Sequence, residues 1–470
     1  MVDVGLATLA AFAGKTDLSA LTEEDLTTIA EYIRENYVVN PLKSFLTVAF
    51  PNSGFTNPAF ERKPEKRIEY AERVLNAWRG EADHLGVPCV YTGRPAVWRA
   101  FRQHVPMLTG EDVINFYPYG VAGLPLSGEA LLAIQAFPLG CAKVEGRLLA
   151  VHADDPDLTY RFARRFLEQN RRAIQAAQLA GSSKLPEAPH RAATLLVETL
   201  LDIEKERLSN TGNGQEQAAP VSMTAYHLSN SGQGVALDIY HLPLEILDFL
   251  RSVLSARYRD AWDRIRQRGW EIVKAKRSRK GDAAQAEPRF NVLYEDLFQL
   301  PDRAMHFIRC YFLRTPIRTR RPGDPRATYS FKSEASLVSW GLVELFLRKV
   351  VRMEQRRIEQ IRDLGDTLAE YVYHENDRRF FQTFLTVRRY DNLREALIRV
   401  SVARIKKGQP PLVTFDPYIE IFEQGVDLPD ANWRLIRDLT LIRMIERLYQ
   451  LGWIQAHAEE LPEPEEETGL

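Results

Sequence analysis

Two cysteine-containing tetrapeptides come nearest to a metal-binding pattern in this sequence. Cys89-Val90-Tyr91-Thr92 and Cys141-Ala142-Lys143-Val144 each look like half of a Cys-x-x-Cys knuckle that lacks its second sulfur. A structural zinc site closes with four thiolate or imidazole ligands. His104 and His152 could complete such a site only in an unusual geometry. We therefore expect Cys89 and Cys141 to be small buried residues, and we expect no metal or other cofactor.

Three aspartates, Asp154, Asp155 and Asp157, are the best candidates for binding a divalent cation. They directly precede a long helical pattern, however, and capping of that helix explains them more simply. The sequence contains no Gly-x-Ser-x-Gly elbow, no His-Glu-x-x-His motif and no P-loop. We expect a protein that is not an enzyme, with a metal-dependent nuclease as the alternative.

Cations are locally dense in a chain that is almost neutral overall. The 470 residues include 62 Lys and Arg against 63 Asp and Glu, a formal net charge of −1. Residues 251–280 alone hold eleven cations and three acids, a local net charge of +8, with Trp262 and Trp270 among them. Two further basic groups are Arg314, Arg318, Arg320, Arg321 and Arg326, and then Arg378, Arg379, Arg388, Arg389, Arg399, Arg404, Lys406 and Lys407. Dense local charge of this kind is typical of proteins that contact phosphate backbones.

A polar turn offers groups that could read bases. Pro51-Asn52-Ser53-Gly54 is a strong turn signal, and Asn57 follows it closely. Asn and Ser side chains can contact base edges or phosphates, and Gln103 could pair with an adenine. The alternative for 51–57 is an ordinary turn.

The elements that must position these residues fall into two classes. Helical spacing predicts helices near 6–12, 22–36 with Thr22 as the N-cap, 64–83, 127–137, 154–178 and 191–208, and one continuous helix from Pro243 through Ile265. A hairpin is predicted from 221–228 and 235–242, after a polar loop over 209–220. After Pro325 the pattern is almost entirely helical. We predict an α+β N-terminal part with short strands, hairpins and several helices over 1–325, an all-α helical bundle over 326–455, and a disordered acidic tail over 456–470.

Composition bears on the cellular setting as well. Three cysteines cannot build a disulfide framework, which indicates a reducing compartment. No apolar run reaches the ~20 residues that a membrane helix needs. We therefore expect a soluble cytoplasmic protein that does not contact membranes.

Several long motifs together resemble a known family. They are PLKSFLTVAFPNSGFTNP (41–58), YTGRPA (91–96), MLTGEDVINFYP (107–118), LSGEALLAIQAFPLGCAK (126–143), RLLAVHADDPDLT (147–159) and TAYHLSNSGQGVALDIYHLPLEIL (224–247). In this order they look like the large subunit of type I-B CRISPR interference complexes (Cascade), in the Cst branch first described by paired Cys-x-x-Cys motifs. The resemblance covers most of 1–250 and is looser beyond it. Thr92 and Val144 stand where the family has second cysteines, so zinc, which is possible in the family, is not expected here.

The resemblance implies a non-catalytic subunit of a guide-RNA complex used in antiviral defence. Such a subunit recognises the short motif beside a DNA target, the PAM, and promotes duplex opening and R-loop formation. It holds the displaced strand and helps to recruit a helicase-nuclease or a transposition adaptor. The implied partners are guide RNA, target double-stranded DNA, and the backbone and small subunits of Cascade. A stand-alone RNA-binding scaffold is another alternative.

Residue roles follow from combining the resemblance with the charge pattern. For the PAM and its duplex we select Asn52, Ser53, Gly54, Asn57, Gln103, His104, Lys43, Lys63, Lys66 and Arg67. For the RNA handle or phosphates we select Arg94, Arg99, Arg102, Arg264, Arg268, Lys274, Lys276, Arg277, Arg318, Arg320 and Arg321. For the displaced strand we select Arg378, Arg379, Arg388 and Arg389. Met353 is a candidate internal start for a 118-residue small-subunit-like product, or else an apolar position on a helical stripe.

Overall fold

The computed structural model describes residues 1–80, 83–111, 113, 120–210, 219–230, 234–273, 276–277, 283–284, 287–423 and 432–462. Lys274, most of the polar loop predicted after 208, the hairpin turn at 231–233 and the tail from 463 lie outside these residues. The chain divides into two compact units, Met1–Leu244 and Glu245–Leu470. None of the described helices is both long enough and apolar enough to cross a membrane.

The N-terminal unit combines helices with two small antiparallel sheets. Its helices are α1 (Val2–Phe12), α2 (Glu23–Asn36), α3 (Leu42–Leu46), α4 (Pro64–Leu75), α5 (Gly128–Ala136), α6 (Pro156–Leu179) and α7 (Ala192–Asn210). Its strands are β1 (Trp98–Ala100), β2 (Leu124–Leu126), β3 (Ala142–Val144), β4 (Arg147–Ala153), β5 (Met223–Ser229) and β6 (Ala236–Leu242). Strands β1 and β2 pair with each other, and the larger sheet has the order β3-β4-β5-β6.

Local signals explain where these elements begin. Thr22 and Asp25 form a reciprocal capping box at the start of α2. Ser127 caps α5, a helix of small and apolar residues that is buried along almost its whole length. The predicted hairpin is present as β5 and β6, with Met223 opposite Leu242 and Ser229 opposite Ala236. Burial of α5 and of the inner strands builds the main core of this unit.

The C-terminal unit is mostly helical. Its helices are α8 (Leu244–Ser252), α9 (Arg259–Gln267), α10 (Val292–Leu297), α11 (Ala304–Phe307), α12 (Phe331–Glu334), α13 (Trp340–Phe346), α14 (Gln355–Glu375), α15 (Arg378–Thr386), α16 (Tyr390–Lys406), α17 (Phe415–Phe422), α18 (Trp433–Gln450) and α19 (Trp453–His457). Two-residue strands, β7 (Lys276–Arg277) and β8 (Ala283–Ala284), pair before α10. The predicted class, α+β followed by an all-α bundle, is confirmed.

The division between the units lies about 80 residues before the boundary that the sequence suggested. Aromatic packing gives the reason. The ring of Phe249 in α8 lies edge-on to the ring of Phe346 in α13, with centroids 5.5 Å apart. The ring of Phe307 stacks on the same Phe346 ring, with centroids 5.2 Å apart. Residues 245–325 therefore share a core with the helices that follow them.

Two local predictions need correction. The continuous helix predicted from Pro243 to Ile265 is interrupted between α8 and α9, where Arg259 donates to the Leu254 carbonyl oxygen at 2.8 Å. The acidic tail predicted from 456 is packed at its start, since Leu461 is buried and its carbonyl oxygen accepts from Lys332 Nζ at 2.8 Å. Met353 lies half-buried just before α14.

Candidate nucleic-acid interface

The predicted base-reading turn joins α3 to α4 and is stabilised by contacts among its own buried side chains. The Ser53 and Thr56 hydroxyls lie 3.2 Å apart, and Thr56 Oγ1 donates to the Phe50 carbonyl oxygen at 3.2 Å. Asn52 has a left-handed backbone with φ of 65° and an exposed side chain, a conformation that asparagine tolerates better than most residues. The half-buried Asn57 accepts from the Ala59 N–H at 2.9 Å.

Tyr70 of α4 connects this turn to the second predicted base-contacting segment. A Cβ built on Gly54 would lie 2.3 Å from atoms of the Tyr70 ring, so only glycine fits against it. On its other side Tyr70 stacks on His104, with ring centroids 5.9 Å apart and an interplanar angle of 18°. Phe55 meets Tyr70 edge-on at 5.3 Å. The two candidate segments, 51–57 and 103–104, therefore both contact the half-buried ring of Tyr70.

Burial changes the roles expected of two residues. The Ser53 side chain is fully buried, and His104 is 4 % exposed. Burial lowers the pKa of His104 to about 4, and its Nδ1 accepts the Phe101 N–H at 3.2 Å. We correct both assignments: Ser53 and His104 support the surface from below and do not present polar atoms to DNA. Gln103 is half-buried and donates to Glu111 Oε1 at 2.5 Å.

Asn230, at the end of β5, ties the hairpin to the same region. Its backbone N–H donates to the Val48 carbonyl oxygen at 2.7 Å, and its Nδ2 donates to the Ala49 carbonyl oxygen at 3.3 Å. Its own carbonyl oxygen accepts from Arg102 Nη2 at 3.3 Å. The predicted phosphate contact Arg102 thus lies next to the segment that leads into the turn.

The cations predicted to contact nucleic acid in this unit differ in how they are paired. Lys43 pairs with Glu61, and Arg94 pairs with Glu129 at 2.9 Å. Four others, Lys63, Lys66, Arg67 and Arg99, form no ion pair within the described parts of the chain. Arg67 Nε and Arg99 Nη1 are also buried there without a hydrogen-bond acceptor. Lys63, Lys66 and Arg67, together with the exposed Asn52, are named the turn surface below.

Several arginines of the 251–280 stretch and of the group from Arg314 to Arg326 are bound to other groups of the protein. Arg268 and Arg314 both pair with the buried Glu334, and Arg264 donates to the Ser336 carbonyl oxygen at 3.0 Å. Arg321 pairs with Glu295 and lies 3.5 Å from the centroid of the Phe290 ring.

Arg264, Arg268 and Arg321 thus join segments within this unit, and their role as phosphate contacts stays a prediction. Arg320 is exposed and unpaired among the described residues, and Arg318 is exposed. Lys274 and the side chains of Lys276 and Arg277 lie outside the description.

The predicted displaced-strand residues lie at the two ends of α15. Arg378 pairs with Glu460, and Arg389 Nη2 lies 3.3 Å from Asp391 Oδ2. Arg379 is exposed and has no ion-pair partner among the described residues, and Arg388 is exposed. All four side chains are exposed on this element and the residues after it.

The Cys89 thiol lies among several hydrogen-bond donors. Cys89 is 3 % exposed. Burial acts to raise the pKa of its thiol, but hydrogen bonds from the Thr92 hydroxyl and the backbone N–H groups of Ser127, Tyr91 and Thr92 outweigh it and lower the pKa. Cys141 is fully buried, and burial raises the pKa of its thiol. Within the described residues no three His, Cys, Asp or Glu side chains form a group that could hold a metal ion.

The aspartate trio caps and braces helices. Asp155 is the N-cap of α6, accepting from the Asp157 N–H at 2.9 Å, and it pairs with Arg207 at 2.9 Å. Asp157 pairs with Arg161 at 2.7 Å, and Asp154 accepts from Ser222 Oγ at 2.5 Å. The capping explanation is confirmed.

Sequence reasoning missed Tyr70 and Asn230, which organise the turn. Tyr70 carries a weak signal, since it occupies the apolar side of an amphipathic helix that includes Ala71 and Val74. Asn230 carries none, because its partners Val48 and Ala49 lie about 180 residues earlier.

Comparison of the whole chain with known protein families, with curated proteins and with solved structures finds no match.

Proposed function

We propose that this chain is the non-catalytic large subunit of a type I-B CRISPR surveillance complex, and that the turn surface contacts the PAM duplex. The supporting observation is the contrast in ion pairing. Lys63 and Lys66 are exposed and form no ion pair among the described residues, whereas Arg268, Arg314 and Arg321 each pair with a carboxylate. Cations that no protein group neutralises are the ones available to phosphates.

The proposed division of labour follows from exposure. Asn52 projects from a turn whose interior is fixed by Ser53, Thr56 and Tyr70, so its amide is presented by a rigid support. Lys63 and Lys66 in and beside the first turn of α4 are exposed and would hold the duplex backbone. Guide pairing reads most of the target, so one or two base contacts suffice for the protein.

The later steps are part of the same proposal. Arg379 and Arg388 would hold the displaced strand, and Arg99 and Arg102 would contact the RNA handle. A helicase-nuclease or a transposition adaptor would bind once the R-loop has formed. The site of action would be the cytoplasm.

The decisive experiment measures target binding by the guide-loaded complex assembled with and without this chain. Duplexes with and without a permissive flanking motif are compared. Under the proposal, motif-dependent binding is lost when this chain alone is omitted. Unchanged binding would refute it, and retention of RNA-handle binding alone would favour the RNA-scaffold alternative. Divalent-cation-dependent cleavage by the isolated chain would favour the nuclease.

Point variants then separate backbone contacts from base contacts. Lys63→Ala and Lys66→Ala should weaken binding to all flanking sequences and reduce the slope of log K against log salt by about 1 each. Asn52→Ala should alter motif preference and leave that slope unchanged. Lys407→Ala is the matched control, because Lys407 is exposed but pairs with Glu375 at 2.9 Å. A slope change in the control equal to that of Lys63→Ala would remove the assignment.

A further inference from the structure

Strand β6 forms one edge of the four-stranded sheet and exposes large apolar side chains. Among the described strands it pairs with β5 alone. Val235, just before it, is 51 % exposed, and Leu237 and Ile239 within it are 42 % and 59 % exposed. These three residues alternate along the chain and so project from one face of the sheet.

On the neighbouring strand β5, the side chains on this same face of the sheet pack against the core. Leu237 lies opposite Leu228, and Ile239 lies opposite Tyr226. Leu228 is 2 % exposed and belongs to the main core, against which Tyr226 also packs. The apolar face of the sheet therefore extends one strand beyond the part that the helices of this unit cover.

Sequence features that usually prevent edge pairing are absent from β6. Residues 235–242 read Val-Ala-Leu-Asp-Ile-Tyr-His-Leu, with no lysine, arginine or proline. The one carboxylate, Asp238, is neutralised by Arg147 at 2.6 Å. His241 shares a hydrogen bond of 2.9 Å with Thr224 Oγ1 across the strand pair. An edge that is long, apolar and free of net charge favours addition of another strand.

We propose that β6 pairs antiparallel with β6 of a second copy of this chain, about a two-fold axis at Ile239. In this register Ile239 faces its counterpart, Leu237 faces the partner's His241, and Asp238 faces the partner's Tyr240. No like charges oppose one another, and a continuous eight-stranded sheet results. The strand is thus self-complementary, which is the condition for an isologous contact.

Disulfide cross-linking tests both whether a second copy of this chain pairs with β6 and whether it does so in the proposed register. Directly opposite residues in an antiparallel pair have Cα atoms about 4.5–5.5 Å apart, within the range that a disulfide bridges. Ile239→Cys should therefore give a disulfide-linked dimer under mild oxidation. Leu237→Cys is the matched control, because its two copies would lie ~13 Å apart. The native cysteines contribute little background, since Cys89, Cys141 and Cys310 are 3 %, 0 % and 1 % exposed.

Sedimentation of the full-length chain provides an independent measurement. The wild type should associate as a dimer at micromolar concentrations, and Ile239→Lys should weaken association at least tenfold. Leu179→Lys, at a 91 % exposed position at the end of α6, should leave it unchanged. Far-ultraviolet circular dichroism confirms that each variant is folded. A monomeric wild type, or equal cross-linking of the 237 and 239 variants, would overturn the proposal.

Discussion

The substitution Gly54→Ala adds one methyl group to the turn and tests whether the turn packs against Tyr70 as described. Its Cβ would lie 2.3 Å from Tyr70 Cδ1 and Cγ, and 2.8 Å from Cδ2. Tyr70 cannot retreat freely, because Phe55 and His104 pack against its ring at 5.3 and 5.9 Å. Gly54→Ala must therefore displace the turn or the ring by about 1 Å, and overpacking of this kind costs roughly 1–3 kcal/mol.

Thermal unfolding measures that cost. For a unit of this size, 1 kcal/mol corresponds to about 2–4 °C in Tm, so Gly54→Ala should melt roughly 2–12 °C below the wild type. Gly110→Ala is the control, because no atom lies within 4 Å of its built Cβ. Combining Gly54→Ala with Tyr70→Leu should cost less than the sum of the single changes, by about 1 kcal/mol or more.

Functionally, the same change should weaken discrimination between flanking motifs, because Asn52 lies on the displaced turn. A Tm for Gly54→Ala within 1 °C of the Gly110→Ala control would show that the turn and α4 are not in contact as described. The support attributed to Tyr70 would then be wrong.

Three further outcomes are expected. The pKa of His104 is about 4 in the folded chain, so the unfolded chain binds more protons than the folded chain between pH 6.5 and 4. The contribution of His104 to the free energy of unfolding is therefore complete above pH 6.5 and decreases on acidification, by ~2 kcal/mol between pH 7.5 and 5. Urea titrations of His104→Asn should not show this decrease. Cys89 should react with iodoacetamide at a lower pH than Cys141 when mass spectrometry follows the labelling, and an equal pH profile would contradict the hydrogen bonding at Cys89. Glu334→Ala leaves Arg314 buried without its carboxylate and should cost about 3–5 kcal/mol in calorimetry, whereas exposed Glu359→Ala should cost less than ~0.5.

Features encoded within a few residues could be predicted from the sequence. The Thr22 cap, the start of the helix after Ser127, the hairpin strands and the capping aspartate Asp155 all depend on neighbours along the chain. Fold class followed from the same periodic patterns. The segment 51–57 was also identified as a turn, because Pro, Asn and Gly restrict the backbone locally.

Features that depend on distant partners could not be predicted. A count of charges gave 251–280 a large positive net charge, but Arg268 is neutralised by a carboxylate 66 residues away. The burial of His104 depends on Tyr70 and Trp98, whose contact the sequence does not indicate. The division into units at Leu244 has the same origin, since aromatic packing between α8 and α13 joins segments about 100 residues apart.

The contacts of Asn230 also set an order of events during synthesis. The carbonyl oxygens of Val48 and Ala49, which precede the turn, receive their hydrogen bonds from a residue about 180 positions later. Closing so long a loop is entropically costly and slow compared with forming the local helices. The turn surface can therefore reach its final geometry only after the ribosome has released the β5 strand. A nascent chain that stops before Asn230 would have its helices but not the finished surface.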